Sequence, residues 1–319
     1  MRAAVVTRFG QPPRYVEFDE PVAAHDAEIV DVVAAALHPR VRSQAAGSHY
    51  TSTDELPLIP GIDGVGRRAD GSLVYFVLPD TRYGSLAERT AIDLRRSIPV
   101  PHDADPIAIA AAMNPAMSSW LALRRRAHLE PGQSVLILGA TGSAGQLAVQ
   151  VAKHLGAGRI VAAGRDQRAL DSLAGLGADT LVSLAGDVDD AAARVGDAAA
   201  DVDVVVDYLY GAIAQAAIPA ILTRRSDRST RLDWVQVGAI TGPEITIAST
   251  LLRGADFTLL GSGQGSVSTR DIVNELVPLM TAVHAGAFAL ATDPRPVSEV
   301  ERVWREPADA RRRIVFTID

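Results

Sequence analysis

The middle of the chain alternates between continuous apolar runs and amphipathic segments of helical spacing. Ser134–Leu138 (SVLIL) is apolar throughout, which is typical of a strand that is covered on both faces. Repeated strand–helix units of this length predict a parallel sheet with helices on both faces. The predicted elements of this region are strands at Ser134–Leu138, Arg159–Ala163, Val202–Val206, Leu232–Val237 and Phe257–Leu260, and helices at Ser143–Leu155 and Gln167–Leu176.

The two ends of the chain have a different pattern. The N-terminal part carries short apolar or alternating runs, which Pro, Gly and Asp turns separate, and it is therefore predicted to be β-rich. A long apolar helix is predicted over Pro106–Arg126, and helices and a final strand follow the middle region. Because neither end matches the middle, we expect a discontinuous domain around an inserted α/β domain, with bounds 1–116, 117–262 and 263–319. The remaining predicted elements are strands at Ala3–Thr7, Glu28–Ala35, Leu73–Leu78 and Arg313–Thr317, and helices at Asp271–Ala285 and Val297–Arg305.

Composition narrows the classes of function. The chain has 319 residues, a net charge of −7 and no cysteine. The acidic balance disfavours nucleic acid and anionic membranes as partners. The two arginine runs, Arg124–Arg126 and Arg311–Arg313, are expected to be solvated ends of a helix and a strand. Without cysteine there is no disulfide, thiolate nucleophile, iron–sulfur cluster or Cys-ligated zinc. Since no apolar run of about 18 residues occurs, we expect a cytoplasmic protein that acts on a small molecule.

A glycine-rich turn joins the first central strand to its helix. The turn is Gly139-Ala140-Thr141-Gly142-Ser143-Ala144-Gly145, with the spacing G-x-x-G-x-x-G. Glycines here permit a tight turn and let the backbone approach a pyrophosphate, while the last glycine allows close packing of helix on strand. The N–H groups and the positive end of the helix would then face the phosphates. The turn therefore predicts a dinucleotide site, although a glycine turn without a ligand has the same pattern.

The tip of the second central strand indicates which dinucleotide is bound. An NAD site would carry Asp or Glu there to accept from the ribose 2′-OH, but this tip is Ala163-Gly164 followed by Arg165. Gly164 is expected to leave room for a 2′-phosphate that Arg165 and Arg168 bind through charge-assisted bonds. The alternative is that Asp166 binds the ribose, or that it is only the N-cap of the next helix. The prediction is NADP(H).

With these motifs in order, the sequence resembles the zinc-independent quinone oxidoreductase branch of the medium-chain dehydrogenase/reductase superfamily. Leu58–Gly66 (LIPGIDGVG) is similar to that family's Pro-Gly-x-Glu-x-x-Gly turn, and Tyr83–Glu88 (YGSLAE) to its Gly-x-x-Ala-Glu strand. Leu173–Asp179 (LAGLGAD) is similar to its Leu-Gly-Ala-Asp segment. The resemblance implies a Rossmann domain inserted into a GroES-like β-rich domain, with the cofactor in the cleft. It also implies a homodimer formed through the edge strand Phe257–Leu260.

The sequence departs from the family at the metal and substrate positions. Zinc-dependent members of the superfamily carry a Cys near His38 and a His near Ile62, so no metal site is expected. The quinone oxidoreductase pattern Asn-Pro-x-Asp, followed by an Arg, is replaced here by His38, Val41 and Ala45. The substrate site is therefore expected to differ from that of better-known members.

Hydride transfer to a quinone or enone requires a hydrogen-bond donor to the carbonyl oxygen. Tyr50 and His49 are the candidates, because the family's loop after the glycine carries a polar side chain over the nicotinamide. Asn114 is a third candidate, on the segment that borders the nicotinamide in the resembling family. Two further segments are expected to border the cofactor at the carboxyl ends of strands. They are Gly238-Ala239-Ile240 and Gly261-Ser262.

The alternatives to these site residues are structural. Tyr50 and His49 have a second interpretation as ordinary loop residues. Ser118 and Ser119, on the helix that carries Asn114, either bind a carboxamide or a substrate oxygen or are helical serines that bond to backbone carbonyls. Three functions remain open from the sequence. The first is an NADPH-dependent, zinc-free reductase of quinones or α,β-unsaturated carbonyls. The others are a carbonyl reductase or alcohol dehydrogenase that uses Tyr or His acid catalysis, and a non-catalytic NADPH-binding protein.

Overall fold

In the computed structural model, which describes residues 1–23, 25–307 and 312–318, the N-terminal alternating runs form strands. Helix α1 (Pro39–Ala45) begins with proline at its first turn, where the fixed φ suits a helix start. Helix α2 (Pro106–Leu121) continues as a π-helical turn at Ala122–Arg126. The strands of this part are β1 (Arg2–Val5), β2 (Arg14–Glu17), β3 (Ala27–Ala36), β4 (Asp63–Arg67), β5 (Leu73–Val77), β6 (Arg89–Asp93) and β7 (Ser97–Pro99).

The middle region contains the strands and the two helices that its pattern predicts, together with one strand and three helices that were not predicted, at Thr180–Ser183, Val188–Ala199, Gly211–Arg224 and Ser249–Gly254. Its strands are β8 (Ser134–Leu138), β9 (Arg159–Gly164), β10 (Thr180–Ser183), β11 (Val204–Asp207), β12 (Leu232–Gln236) and β13 (Phe257–Gly261). Its helices are α3 (Ser143–His154), α4 (Gln167–Leu176), α5 (Val188–Ala199), α6 (Gly211–Arg224) and α7 (Ser249–Gly254). The C-terminal part adds α8 (Thr269–His284), β14 (Ala291–Pro296), α9 (Val300–Val303) and β15 (Arg312–Thr317).

The described residues divide into two units. The first takes in Met1–Asn114, Leu276–Gly286 and the C-terminal part from Leu290, and the second is Pro115–Glu275 with Ala287–Ala289. The sequence-based division assigned 263–319 to the terminal domain, whereas 263–275 belong to the second unit in the structure. Glu275, at the end of this stretch, has a buried carboxylate that accepts from Trp120 and Arg124 of the same unit at 2.8 and 2.7 Å.

The second unit is built on a six-stranded parallel sheet of order β10-β9-β8-β11-β12-β13. Its strands are apolar because helices cover both faces, and the largest side chain of the core, Trp234 on β12, is 0% exposed. The strand order reverses between β8 and β11. In open α/β sheets, ligands bind outside the carboxyl ends of the strands at such a reversal.

The first unit contains a seven-stranded, mainly antiparallel sheet in which strands from both ends of the chain pair. Its order is β14-β15-β3-β4-β5-β7, with β6 also paired to β3. The C-terminal β15 lies against β3, with Phe316 opposite Ala35. The parallel sheet and the β-rich unit built from both ends confirm the predicted fold class.

Helix α2 and its π-helical continuation form a long apolar segment. By length and composition Pro106–Arg126 could cross a membrane, but its most apolar window is 67% buried inside the protein. Ala110, Met113 and Ala116 on this helix are each 0% exposed. These properties are those of a core helix, which is the interpretation that the burial supports.

Candidate active site

The glycine-rich turn leads directly from β8 into α3 at the carboxyl edge of the parallel sheet. The N–H groups of Gly139 and Ala140 donate to the Ala163 carbonyl at 3.0 and 2.9 Å, which attaches the turn to the end of β9. Gly139 has a φ of +89°, a conformation that glycine adopts without strain. At the start of α3, Gly142 is the N-cap and supplies no side-chain cap. The positive end of a twelve-residue helix therefore lies at this edge, where it favours an anion.

The glycines of the turn have different structural roles. A Cβ on Gly145 would lie 2.2 Å from the Gly139 carbonyl oxygen and 2.6 Å from the Ala140 Cα, so only glycine allows α3 to pack this closely. A Cβ on Gly142 would meet nothing nearer than that same oxygen, at 3.7 Å. The fold does not need glycine at position 142, but a pyrophosphate that approaches the backbone would. The turn thus fits a dinucleotide, and the contacts of Thr141, Ser143 and Ala144 with it stay predictions.

The tip of β9 packs against the glycine turn. Gly164 is buried, and a Cβ there would lie 2.3 Å from the Thr141 Cγ2 atom. This contact gives a structural reason for glycine at position 164, and the room for a 2′-phosphate stays a prediction. The glycine is required because the turn packs against the strand at this point.

The charged residues after β9 favour a phosphate over a bare ribose. Arg165 and Arg168 are exposed, and neither pairs with a carboxylate within the described ranges of the chain. Asp166 caps α4 by accepting from the Ala169 N–H at 3.1 Å. Because the Asp166 carboxylate is engaged in capping, the alternative that it serves as the ribose ligand loses support. Two exposed guanidiniums remain beside the strand tip.

The carboxyl end of β11 carries a group of side chains whose contacts the sequence did not reveal. Asp207 is 0% exposed, and its carboxylate accepts from the N–H groups of Leu209 and Tyr210 at 2.8 and 2.9 Å. Its second oxygen accepts from Trp234 Nε1 at 3.0 Å. Burial raises the pKa of Asp207, although these three donors oppose the shift. Asp207 therefore organises the turn after β11, and the only sequence signal was an Asp at the end of an apolar strand.

Tyr208 follows Asp207 at the reversal of strand order. Its hydroxyl lies 2.9 Å from Ser118 Oγ, and burial raises its pKa to about 12. Ser118 Oγ also donates to the Pro115 carbonyl at 2.7 Å, and Ser119 Oγ donates to the Ala116 carbonyl at 3.1 Å. The structural interpretation of both serines is correct, since both bond to backbone carbonyls. Asn114 is half-buried on the same helix, and its catalytic role stays a prediction.

Two further segments lie at the carboxyl ends of β12 and β13. Gly238 follows β12, and a Cβ there would lie 2.8 Å from the Tyr208 carbonyl oxygen, so this glycine packs against the turn after β11. Ala239 and Ile240 are exposed, Ile240 to 72%. Gly261 ends β13 and has open space where a Cβ would stand, and Ser262 donates from its N–H to the Gln236 carbonyl at 2.8 Å. The segments lie at the expected edge, and their cofactor contacts stay predictions.

The proposed hydrogen-bond donors of the first unit lie on the loop after α1. The rings of His49 and Tyr50 stack with centroids 4.3 Å apart, and Tyr50 is 71% exposed. His49 Nδ1 lies 2.9 Å from Thr51 Oγ1. Burial of the imidazole and the nearby Arg40 lower the pKa of His49, while Asp80 raises it. The loop therefore carries a phenol and an imidazole side by side, and an assignment between them stays a prediction.

Near the position of the family's catalytic zinc, the first unit has a buried hydrogen-bond cluster. His38 Nε2 lies 2.9 Å from Asp63 Oδ1, and the Tyr75 hydroxyl donates to Asp63 Oδ2 at 2.8 Å. Ile62, at the position of a zinc-ligating His, is 4% exposed. No group of three potential metal ligands occurs among the residues that the structure describes. His38 and Asp63 satisfy each other as a buried pair.

The arginine runs are not simple solvated ends. Arg313 is 6% exposed, and burial lowers its pKa to about 10 while the Asp63 carboxylate opposes the shift. Arg124 and Arg125 bond to the buried Glu275 through their Nε atoms at 2.7 and 2.8 Å. The expectation of solvation was wrong for Arg313, which is buried, whereas Arg124 and Arg125 are exposed as expected and also pair with Glu275. Arg311 lies outside the described residues.

Comparisons with known proteins agree with this geometry. No family model matches the chain. The probable NADPH-dependent quinone reductase tdiC of Emericella nidulans is 31% identical over 99% of both chains. The 2-methylene-furan-3-one reductase of Solanum lycopersicum is 30% identical over 51% of this chain and 46% of its own. The crystal structure of the quinone oxidoreductase from Thermus thermophilus, also described in complex with NADPH, superposes with a TM-score of 0.81 at 25% identity, over 99% of this chain and 100% of that one.

Proposed function

Because this chain belongs to the quinone oxidoreductase-like branch of the medium-chain dehydrogenase/reductase superfamily, we propose that it transfers a hydride from NADPH to a quinone or an α,β-unsaturated carbonyl. The observation that carries the proposal is the glycine turn Gly139–Gly145 at the N-terminus of α3, in a chain that is similar from end to end to a probable NADPH-dependent quinone reductase. The enzyme is an NADP-dependent oxidoreductase, as the sequence predicted.

The residues of the second unit bind and orient the cofactor. The backbone N–H groups at the start of α3 hold the pyrophosphate, and the exposed Arg165 and Arg168 bind the 2′-phosphate. When bound, NADPH supplies the hydride from C4 of its nicotinamide. Quinones and enones are already electrophilic, so the protein needs only to orient the two carbons and to donate a hydrogen bond to the carbonyl oxygen. His49 and Tyr50 are the donors that we propose.

Assembly and location are part of the proposal. We propose a homodimer through β13, because this strand lies at the edge of the six-stranded sheet and, within the described residues, pairs on one side with β12. Sedimentation equilibrium of the purified chain tests whether it is a dimer. The variant Leu259→Pro, which disrupts the edge of β13, should sediment as a monomer. We also propose a cytoplasmic location, which cell fractionation tests.

One experiment separates the three functions that the sequence leaves open. NADPH oxidation is followed at a fixed enzyme concentration with a quinone, an enone and a panel of saturated ketones. The proposal predicts turnover of the quinone or the enone and little with the ketones. Turnover of saturated ketones above the enone would support a carbonyl reductase, and binding of NADPH with no turnover of any substrate would support a non-catalytic protein.

A further inference from the structure

A tyrosine in a strained backbone conformation follows β11. Tyr210, the N-cap of α6, has a φ of +55° and a ψ of −151°. This combination lies beside a region that glycine occupies almost exclusively, because a Cβ meets the backbone there. Other residues persist in such a conformation only where the surrounding structure imposes it, and they cluster at sites that bind ligands. The outlier therefore favours a function for the side chain at position 210.

Two neighbouring turns impose this conformation. The Asp207 carboxylate accepts from the Tyr210 N–H at 2.9 Å. From the turn after β12, Thr241 Oγ1 donates to the Tyr210 carbonyl at 2.6 Å, and the Thr241 N–H donates to the Leu209 carbonyl at 2.8 Å. Gly211 continues with a φ of +54°, and a Cβ there would lie 2.6 Å from the Thr241 carbonyl oxygen. The backbone of Tyr210 is thus fixed on both sides.

The turn that carries Tyr210 lies against the glycine-rich turn. A Cβ on Gly139 would lie 3.0 Å from Leu209 Cδ2 and 3.2 Å from the Tyr208 Cβ. In the sheet, β8 lies between β9 and β11, and the strand order reverses between β8 and β11. Arg165 and Tyr210 therefore follow strands on opposite sides of the glycine-rich turn. Both lie at the carboxyl edge, where the dinucleotide is proposed to bind.

The geometry of this edge determines which part of the cofactor meets Tyr210. Neighbouring strands are about 4.8 Å apart, so the ends of β9 and β11 are about 10 Å apart. In the proposed function the 2′-phosphate lies at Arg165 and Arg168, and the adenine is attached to the same ribose. A ribose and its base together span two strand spacings. Since a ligand at a strand-order reversal occupies the crevice outside the strand ends, the adenine is expected to meet the turn after β11.

The side chain of Tyr210 suits a planar base. Its ring is half-buried and packs against the apolar core that α5 and α6 form with the sheet. A ring that is held on one side by packing loses little further freedom when a base stacks on its exposed part. Aromatic side chains bind bases in this way because every base has a π-face.

We propose that Tyr210 is a cofactor-binding residue whose ring stacks on the adenine of NADPH, and that Thr241 is the positioning residue that holds it there. This inference rests on the proposed function, because the adenine belongs to the cofactor of the proposed reaction. It gives the strained turn a role in binding the adenosine half of the cofactor and gives Tyr210 no role in hydride transfer.

The first test compares ligands that share the adenine. Calorimetric titrations use NADPH, NADH and 2′,5′-ADP, which has the adenine and the 2′-phosphate but no nicotinamide. Tyr210→Gly removes the ring and adopts the same backbone without strain, so Kd should rise about 5-fold to 150-fold, by the same factor for all three ligands. Tyr210→Phe keeps the ring and should stay within about twofold of the wild type. Arg165→Ala is the contrast, since it should weaken NADPH and 2′,5′-ADP but not NADH.

The second test observes the stack and the role of Thr241. In nuclear Overhauser spectra, H2 and H8 of bound 2′,5′-ADP should contact tyrosine ring protons, and these contacts should be absent in Tyr210→Gly. Thr241→Val should raise Kd for 2′,5′-ADP up to about tenfold, and Thr241→Ser should restore it. Adding Thr241→Val to Tyr210→Gly should leave Kd at the value of Tyr210→Gly alone, which a purely structural role of Thr241 would not do.

The outcomes separate this inference from the function on which it rests. If the wild type binds none of the three ligands, the cofactor of the proposed function is wrong and the stack fails with it. If the wild type binds them, and Tyr210→Gly unfolds in urea like the wild type and binds them equally well, the role of Tyr210 is wrong and the function stands. A loss of affinity in Tyr210→Phe equal to that in Tyr210→Gly would also overturn the stack. If Tyr210→Gly does not fold, the Overhauser contacts are assigned with Tyr210→Phe, and their absence in the wild type overturns the stack.

Discussion

Gly142→Ala separates the cofactor-binding role of the glycine turn from its structural role. Gly142 has a φ of −77° and a ψ of 161°, which alanine adopts without strain. The new Cβ would lie 3.7 Å from the Gly139 carbonyl oxygen, an ordinary van der Waals distance. The N-cap preference for glycine over alanine is a few tenths of a kcal/mol to about 1 kcal/mol. We therefore expect the free energy of unfolding without cofactor to change by less than about 1 kcal/mol.

Cofactor binding should respond far more strongly. A phosphate oxygen that accepts from the N–H groups at the start of α3 approaches the backbone to hydrogen-bond distance, and a methyl group at position 142 occupies space beside that path. Inserting a methyl into a filled space costs about 1–3 kcal/mol. Since about 1.4 kcal/mol is tenfold, Kd for NADPH should rise roughly 5-fold to 150-fold. NADH should weaken equally, because both cofactors have the pyrophosphate.

Urea unfolding and a titration of NADPH fluorescence measure the two quantities on the same protein. Gly145→Ala is the matched control, because its Cβ would lie 2.2 Å from the Gly139 carbonyl oxygen and must displace backbone even in the absence of cofactor. If Gly142→Ala folds like the wild type and also binds NADPH like the wild type, the pyrophosphate does not lie at this turn. If it unfolds as readily as Gly145→Ala, the glycine is required for the fold and not for the ligand.

Four further predictions concern the charge, the metal and the fold. Arg165→Ala should weaken NADPH binding by about 1.5–3 kcal/mol and leave NADH binding unchanged, and equal losses in parallel titrations would reject the 2′-phosphate contact. Tyr50→Phe should lower enone turnover about 10-fold to 100-fold if its hydroxyl is the donor, and unchanged turnover would leave His49 as the candidate. Because the chain has no cysteine, turnover should survive exhaustive chelation, and an activity-linked zinc ion in elemental analysis would contradict this. The pKa of Glu275 is lowered, because its hydrogen bonds and ion pairs outweigh the effect of its burial. The pairing of Glu275 therefore stabilises the fold above the ordinary carboxyl pKa, and this stability is lost as the pH falls through the lowered pKa. Urea unfolding should find Glu275→Gln destabilised by about 1–3 kcal/mol at pH 7 but not in strong acid.

The sequence by itself determined the features that depend on neighbours along the chain. The apolar run Ser134–Leu138 and the helical spacing after it predict β8 and α3 because each element satisfies its own periodicity locally. The glycines of the intervening turn have the spacing that a phosphate-binding turn needs, so the dinucleotide site could also be predicted. The resemblance of ordered motifs along the chain indicated the superfamily without any coordinates.

Glycine inside a strand is the clearest case that the sequence pattern missed. Asp63–Arg67 looks like part of a turn, since Gly64 and Gly66 are poor strand residues, yet it forms β4 between β3 and β5. A Cβ on Gly66 would lie 2.6 Å from Val30 Cγ2, and one on Gly64 would lie 2.9 Å from the Ala34 carbonyl oxygen. Glycine is needed there because β3 packs too closely for a side chain, and β3 is distant in sequence.

Only the tertiary structure decided which polar groups meet. A side chain at position 164 would meet Thr141, which lies on the turn after the preceding strand of the chain, and this contact gives a structural reason for glycine there. Arg40, Thr51 and Asp80 come from separate segments of the chain and meet at the Thr51 hydroxyl, which accepts from Arg40 and donates to Asp80. Local pattern carries no information on such pairings, since hydrogen bonds between distant residues depend on how the chain returns to itself.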